Sequence, residues 1–142
     1  MLHNISPILS PDILHTLRAM GHGDEIVIGD ANFPGTSMGK RCHRLDGISA
    51  TDLLEAIVQL FPIDTFDDAP LAVMEVVDDP SNIPPIVGEF QEIIDKTADN
   101  PAPIKGMERF KFYERASNAF AVIQTGETRI YGNIILKKGV IS

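Results

Sequence analysis

The sequence predicts an α/β domain built on a largely parallel sheet with antiparallel additions. Two observations carry this. Apolar, strand-like runs alternate with helix-period segments early in the chain, and strands dominate its end. A third sets the scale: 142 residues make one domain, residues 1–142, long enough for a core and too short for two. The sequence carries no internal repeat and no low-complexity segment.

Ser10-Pro11-Asp12 opens the first helix, with Ser as N-cap, Pro at the first position and Asp near the positive end of the dipole. Ile13, Leu14, Leu17 and Met20 recur at helical spacing, and Gly21 is the expected residue at the helix exit. Glu25 to Gly29 reads as a buried strand. Ala31 to Asp46 holds Pro34, Gly35 and Gly39 without a clear period, so a long loop is expected there. Ser49 then caps a second helix, with Asp52 three residues on and Leu53, Leu54, Ile57, Val58 and Phe61 on one face. Leu71 to Val77 is a near-continuous apolar run, the mark of a strand covered on both faces.

Pro84-Pro85 opens a third helix bearing Ile86, Val87, Phe90, Ile93 and Ile94, and residues 98–105 form a connection. Phe110 to Ala116 reads two ways: aromatic alternation suits a strand, and Glu114-Arg115-Ala116 suits a short helix. Ala119–Gln124 and Asn133–Lys138 are the last strands, with Thr125-Gly126 turning between them.

Composition excludes several function classes. Hydrophobic residues make up 44% of the chain, as in ordinary globular proteins. A net charge of -8 argues against nucleic acid, which needs a basic stripe; Lys137-Lys138 is the only adjacent basic pair. Cys42 is the only cysteine, so an intrachain disulfide and a CxxC site are both excluded. The N-terminal residues lack the charged and apolar regions of a signal peptide, and no apolar run approaches the roughly 18 residues of a membrane span. A cytoplasmic protein is expected.

Chemistry concentrates around Met20-Gly21-His22-Gly23-Asp24-Glu25 and the following Ile26-Val27-Ile28-Gly29-Asp30. A helix needs no histidine at its exit, and a core strand gains nothing from ending on a carboxylate. The pattern places an imidazole and an acid on loops, at what read as nearby ends of two elements. Imidazole titrates near neutrality and can give and take a proton in one turnover. The competing role for His22 is to sit at the negative end of the helix dipole. Asp30 ends its strand at the carboxyl edge, where open α/β sheets present ligand sites; its competing role is to cap the Asn32-Phe33-Pro34 turn.

Gly21-His22-Gly23 is not a nucleotide loop, because it precedes a strand instead of following one. His3, His15, His22 and His43 lack zinc-ligand spacing, so no metal is expected. Ser37, His43 and Asp46 could be drawn as a triad, but no nucleophile elbow surrounds Ser37. Cys42 and His43, adjacent in an extended segment, would diverge. Nearer the C-terminus, Arg109 could grip hydroxyls or an oxyanion, Tyr131 could stack on a sugar-like ligand, and Asn133 can both donate and accept. Each also has a structural role open to it: a surface ion pair for Arg109, and an ordinary turn for Tyr131-Gly132-Asn133.

The segments GHGDEIVIGDANFPG, RFKFYERA, TGE and YGNIILKKGV, in that order and spread over nearly the whole chain, resemble the fucose mutarotase branch of the fucose mutarotase/ribose pyranase family. The resemblance implies a three-layer ribose pyranase-like fold with a mixed, mostly parallel sheet flanked by helices. It implies a cofactor-free isomerase that interconverts cyclic forms of a free monosaccharide, fucose or a relative. It assigns His22 as proton donor, and Asp30, Arg109, Tyr131, Gly132 and Asn133 as sugar-binding residues. The base stays open between Tyr131, Asp30 and a bound water. A decamer of two pentamer rings, with sites completed by a neighbouring subunit, is also implied. Competing readings are ribose pyranase activity, a non-catalytic sugar-binding or regulatory protein on the same scaffold, and a metal-dependent hydrolase sensitive to chelators.

Overall fold

In the computed structural model, which describes residues 1–142, eleven elements follow one another. They are α1 (Pro11–Ala19), β1 (Glu25–Gly29), α2 (Gly35–Met38), β2 (Cys42–Leu45), α3 (Ala50–Val58), β3 (Leu71–Met74), α4 (Pro85–Thr97), β4 (Lys105–Met107), α5 (Arg109–Asn118), β5 (Ala121–Thr125) and β6 (Ile134–Lys137). The strands form a six-stranded sheet in the order β2-β5-β1-β6-β3-β4. β1 runs parallel to β5, β5 to β2, and β3 to β4, whereas β6 is antiparallel to both β1 and β3. Five strands therefore point one way and β6 alone returns. The sheet is mixed and mostly parallel, as expected.

Burial follows sheet position. The central strands β1, β5, β6 and β3 are buried almost throughout, while the edge strands β2 and β4 are half-exposed. Alternation sends side chains to two faces. Ile26, Ile28, Ile123 and Leu136 pack with α1, α3 and α4 in the larger core, and Val27, Val122 and Ile135 pack with Phe33 and α5 in the smaller one. Helices thus cover both faces, giving three layers.

The Ser10 and Ser49 side chains accept from the N–H groups of Ile13 and Asp52, as their sequence contexts predict. The ambiguous Phe110–Ala116 stretch is helical. Glu108 caps it by accepting from the N–H groups of Phe110 and Lys111, and only Phe112 and Ala116, spaced by four, are buried.

Three local expectations are corrected and one is refined. Gly21 does stand directly after the cap residue of α1, but the exit is not a left-handed glycine turn: Met20 is extended, and Lys138 Nζ donates to the carbonyls of Leu17 and Met20 at 2.7 and 2.6 Å. The positive-φ glycine is Gly23, at 86°. The expected loop from Ala31 to Asp46 contains α2 and β2; an edge strand paired on one side only needs no buried alternation, so Cys42–Leu45 gave no period. The strand beginning at Leu71 ends at Met74. Finally, β5 and β6 are not neighbours, because β1 lies between them. Gly126 is small for a different reason: a Cβ there would sit 1.9 Å from the Asp46 carbonyl oxygen.

Candidate active site

Because β1 to β5 all run in one direction, their carboxyl ends lie at one edge of the sheet, together with the start of β6. Asp30 follows β1, Arg109 follows β4, and Tyr131-Gly132-Asn133 leads into β6. All five candidate ligand residues therefore share the edge where α/β folds present ligand sites.

Asp30, Gly132 and Asn133 are buried, Asp30 and Asn133 at 6% and 5% exposure. The Asp30 N–H donates to Asn133 Oδ1 at 2.7 Å, and Asp30 Oδ1 accepts from the Asn32 N–H at 2.9 Å. Burial pushes the Asp30 carboxyl up from its ordinary pKa; hydrogen bonds from Asn32, Asn133, Phe33 and Gly132 counter this only in part. The Asx turn expected of Asp30 is thus real, and it leaves a carboxylate at the sheet edge.

Tyr131 adopts a left-handed φ of 63°, a conformation disfavoured for a bulky residue and often found at functional sites. Its hydroxyl accepts from the Val77 N–H at 3.2 Å, tying the β6 entrance to the chain leaving β3. A cleft of about 450 Å³ lies against Tyr131, Ile130 and Pro85. A second, of about 360 Å³, lies against Arg109, Phe110 and Glu108, and Val76 borders both. Either is of a size to take a small ligand.

The TGE segment braces this edge. Thr125 Oγ1 donates to the Gly29 carbonyl, and the Ala31 N–H donates to the Glu127 carbonyl. The Arg129 guanidinium beside Glu127 holds its buried carboxyl below the usual range, and Arg129 also pairs with Glu89.

His22 is elsewhere. It precedes β1, whereas Asp30 follows it, so the two lie at opposite edges of the sheet. Five strand residues at about 3.3 Å each put them on the order of 17 Å or more apart. The expectation that His22 and Asp30 sit at nearby ends of two elements is wrong for a single copy of the chain.

At its own edge His22 has a partner that sequence reasoning missed. Nε2 lies 3.0 Å from Asp64 Oδ1; the Asp64 side chain is 3% exposed and the imidazole 48%. Burial alone would raise the Asp64 carboxyl, but hydrogen bonds from His22 and from the N–H groups of Asp67 and Phe66 outweigh it and hold it below the usual range. Phe66 stands beside the histidine, ring centroids 5.2 Å apart, and is itself 78% exposed. The acid-rich run Asp64-Thr65-Phe66-Asp67-Asp68 before a buried strand is the only sequence signal for this turn.

The triad drawn from Ser37, His43 and Asp46 does not form: His43 Nε2 pairs with Thr16 Oγ1 at 2.7 Å, Ser37 donates to the Pro34 carbonyl, and Asp46 pairs with Arg44. No three His, Cys, Asp or Glu side chains converge as a metal-ligand set. No helix is long and apolar enough to cross a membrane.

Residues 3–141 match the model of the RbsD / FucU transport protein family. An L-fucose mutarotase of Histophilus somni is 46% identical over 140 residues, spanning 99% of this chain and 97% of that protein. The crystal structure of the fucose mutarotase of Streptococcus pneumoniae in complex with L-fucose superposes with a TM-score of 0.92 at 42% identity, covering 99% of this chain and 100% of that one. Bacillus subtilis RbsD complexed with D-ribose shares the fold, with a TM-score of 0.74 at 21% identity over the full length of both chains.

Proposed function

Because the chain belongs to the RbsD / FucU transport protein family, we propose that it is an isomerase interconverting the α and β anomers of L-fucose by acid–base ring opening. The observation that carries this reading is the placement of Asp30, Arg109, Tyr131, Gly132 and Asn133 along the carboxyl edge of a sheet whose fold is shared with fucose mutarotases. Asp30 and Asn133 supply a buried acceptor and a fixed amide for sugar hydroxyls, Arg109 a fork of donors, and Tyr131 a ring face. His22 is the acid toward the ring oxygen. Positioned acid–base groups contribute about 100- to 10,000-fold, which matters for a reaction that water already performs slowly. No cofactor or metal is needed for the proton transfers.

His22 reaches the sugar from a second copy of the chain. Two features support this: within one copy β1 separates His22 from Asp30, and each edge exposes apolar rings or side chains, Phe66 beside His22 and Phe110 and Ile130 at the opposite edge. Such a heterologous contact repeats head to tail, and it forms a ring where the rotation between copies closes. The assembly is a homo-oligomer, a decamer of two pentamer rings, working in the cytoplasm on free sugar. Nucleic acid and membranes are not partners.

Two-dimensional exchange NMR on L-fucose tests the activity. Anomeric cross-peaks should grow with added protein, and their failure to grow would remove the enzyme reading in favour of a sugar-binding protein. His22→Ala should abolish the acceleration while sugar binding, followed by ligand line broadening, stays measurable. Unchanged exchange in that variant would take His22 out of the acid role.

A further inference from the structure

We propose that Asp64 is the positioning residue of the acid–base step, holding His22 through Nε2 so that Nδ1 is the nitrogen that trades a proton with the sugar. The inference rests on the reading of His22 as the acid. Its starting point is the 3.0 Å contact between Nε2 and Asp64 Oδ1. An ionised carboxylate can only accept, so the hydrogen in that contact belongs to Nε2. Neutral His22 is then the Nε2–H tautomer with a lone pair on Nδ1, and the imidazolium carries its transferable proton on Nδ1. The burial pattern agrees: the carboxylate lies behind the ring, 3% exposed, and the ring keeps 48% of its surface open.

The pair is held from both sides by one strand end. On one side the Gly23 N–H donates to the Lys138 carbonyl at 2.8 Å, fixing the His22 turn. On the other the Asp64 N–H donates to the Lys137 carbonyl at 3.1 Å, and Ile63 bridges to Lys138. Asp64 Oδ2 accepts from the Asp67 N–H at 2.9 Å, and Asp67 in turn pairs with Lys137. Both carboxylate oxygens are therefore committed, one to the turn and one to the ring.

The chemistry balances as a proton shuttle. On ring opening the Nδ1 proton passes to the ring oxygen, which keeps the electron pair of its broken bond to C1. The anomeric hydroxyl gives up its proton to the base, leaving an aldehyde at C1. After rotation about C1–C2, closure on the other face reverses each transfer and returns the proton to Nδ1. The Nε2–H···carboxylate bond persists through both states, which keeps the ring from turning and favours the right tautomer, as outer carboxylates do for other functional histidines.

The test is Asp64→Asn. The amide keeps an oxygen for the Asp67 N–H and turns its NH2 toward Nε2, which then must accept. The maximal exchange rate on L-fucose should fall about 10- to 100-fold with KM unchanged, and long-range ¹H–¹⁵N spectra should show neutral His22 moving from Nε2–H to Nδ1–H. Asp68→Asn, which removes an exposed acid of the same turn outside the network that holds the pair, should leave tautomer and rate close to those of the unchanged protein. An Nδ1–H tautomer in the unchanged protein, a full rate in Asp64→Asn, or an equal loss in Asp68→Asn would each overturn the proposal. Absence of exchange in the unchanged protein would instead overturn the reading of function, with the tautomer still reporting on the pair.

Discussion

Asp30 sits where burial works against its charge, and that conflict has a consequence for stability. Its folded pKa is raised by burial, so the folded chain binds this proton more readily than the unfolded chain does. Its contribution is fullest below the unfolded carboxylate pKa of about 3.9 and is lost as pH rises through the folded value. At pH 7 the ionised form therefore costs stability. Asp30→Asn keeps an acceptor for the Asn32 N–H and removes that cost, so its thermal midpoint at pH 7 should exceed that of the unchanged protein while L-fucose binding is lost. The stability difference should shrink as pH falls toward 4; a variant less stable at pH 7 would show that the carboxylate is not held at a loss. Residues of this kind were legible in the sequence because they break a pattern: an acid ending an apolar strand, a histidine between glycines. Asp64 was not, because an acid in a run of acids resembles a solvated turn until the fold buries it behind His22.

At the scale of elements, the sequence spoke where local chemistry decides. Ser10 and Ser49 marked the starts of α1 and α3, and the apolar run Ile26–Ile28 marked a central strand, because caps and two-sided burial are written in neighbouring residues. It was silent where a distant segment decides. The exit of α1 is set by Lys138, and the half-exposed β2 exists only because β5 offers it an edge. Gly126 shows the same dependence. It read as a turn residue, yet its smallness serves the close passage of Asp46, and its N–H donates to the Ile48 carbonyl at 2.8 Å. Gly126→Ala drives a methyl into that backbone and should cost at least about 2 kcal/mol in denaturant unfolding. It should also weaken sugar binding, since Glu127 next to it holds the Ala31 N–H beside Asp30. A loss below about 0.5 kcal/mol would mean the two segments part easily.

At the scale of the molecule, strand order is what no local pattern revealed. Thr125-Gly126 suggested a hairpin, but β1 enters between β5 and β6, and the consequence reaches the site. It gathers Asp30, Arg109 and Tyr131 to Asn133 at one edge and leaves His22 with Asp64 and Phe66 at the other. On the proposed function, the edge that would bind the sugar and the histidine that would act as acid cannot meet within one copy, and they become complementary halves if copies stack head to tail. That arrangement makes catalysis a property of the assembly, and it is open to a direct test. His22→Ala and Asp30→Ala chains, each inactive alone, would be co-expressed in equal amounts and the mixed oligomer assayed for fucose exchange by NMR. If each site draws His22 from one copy and Asp30 from its neighbour, random mixing leaves about a quarter of the sites with both residues intact, and about a quarter of the unchanged protein's rate should return. A mixture as inactive as either variant alone, with mixed oligomers verified by mass, would contradict a site shared between copies.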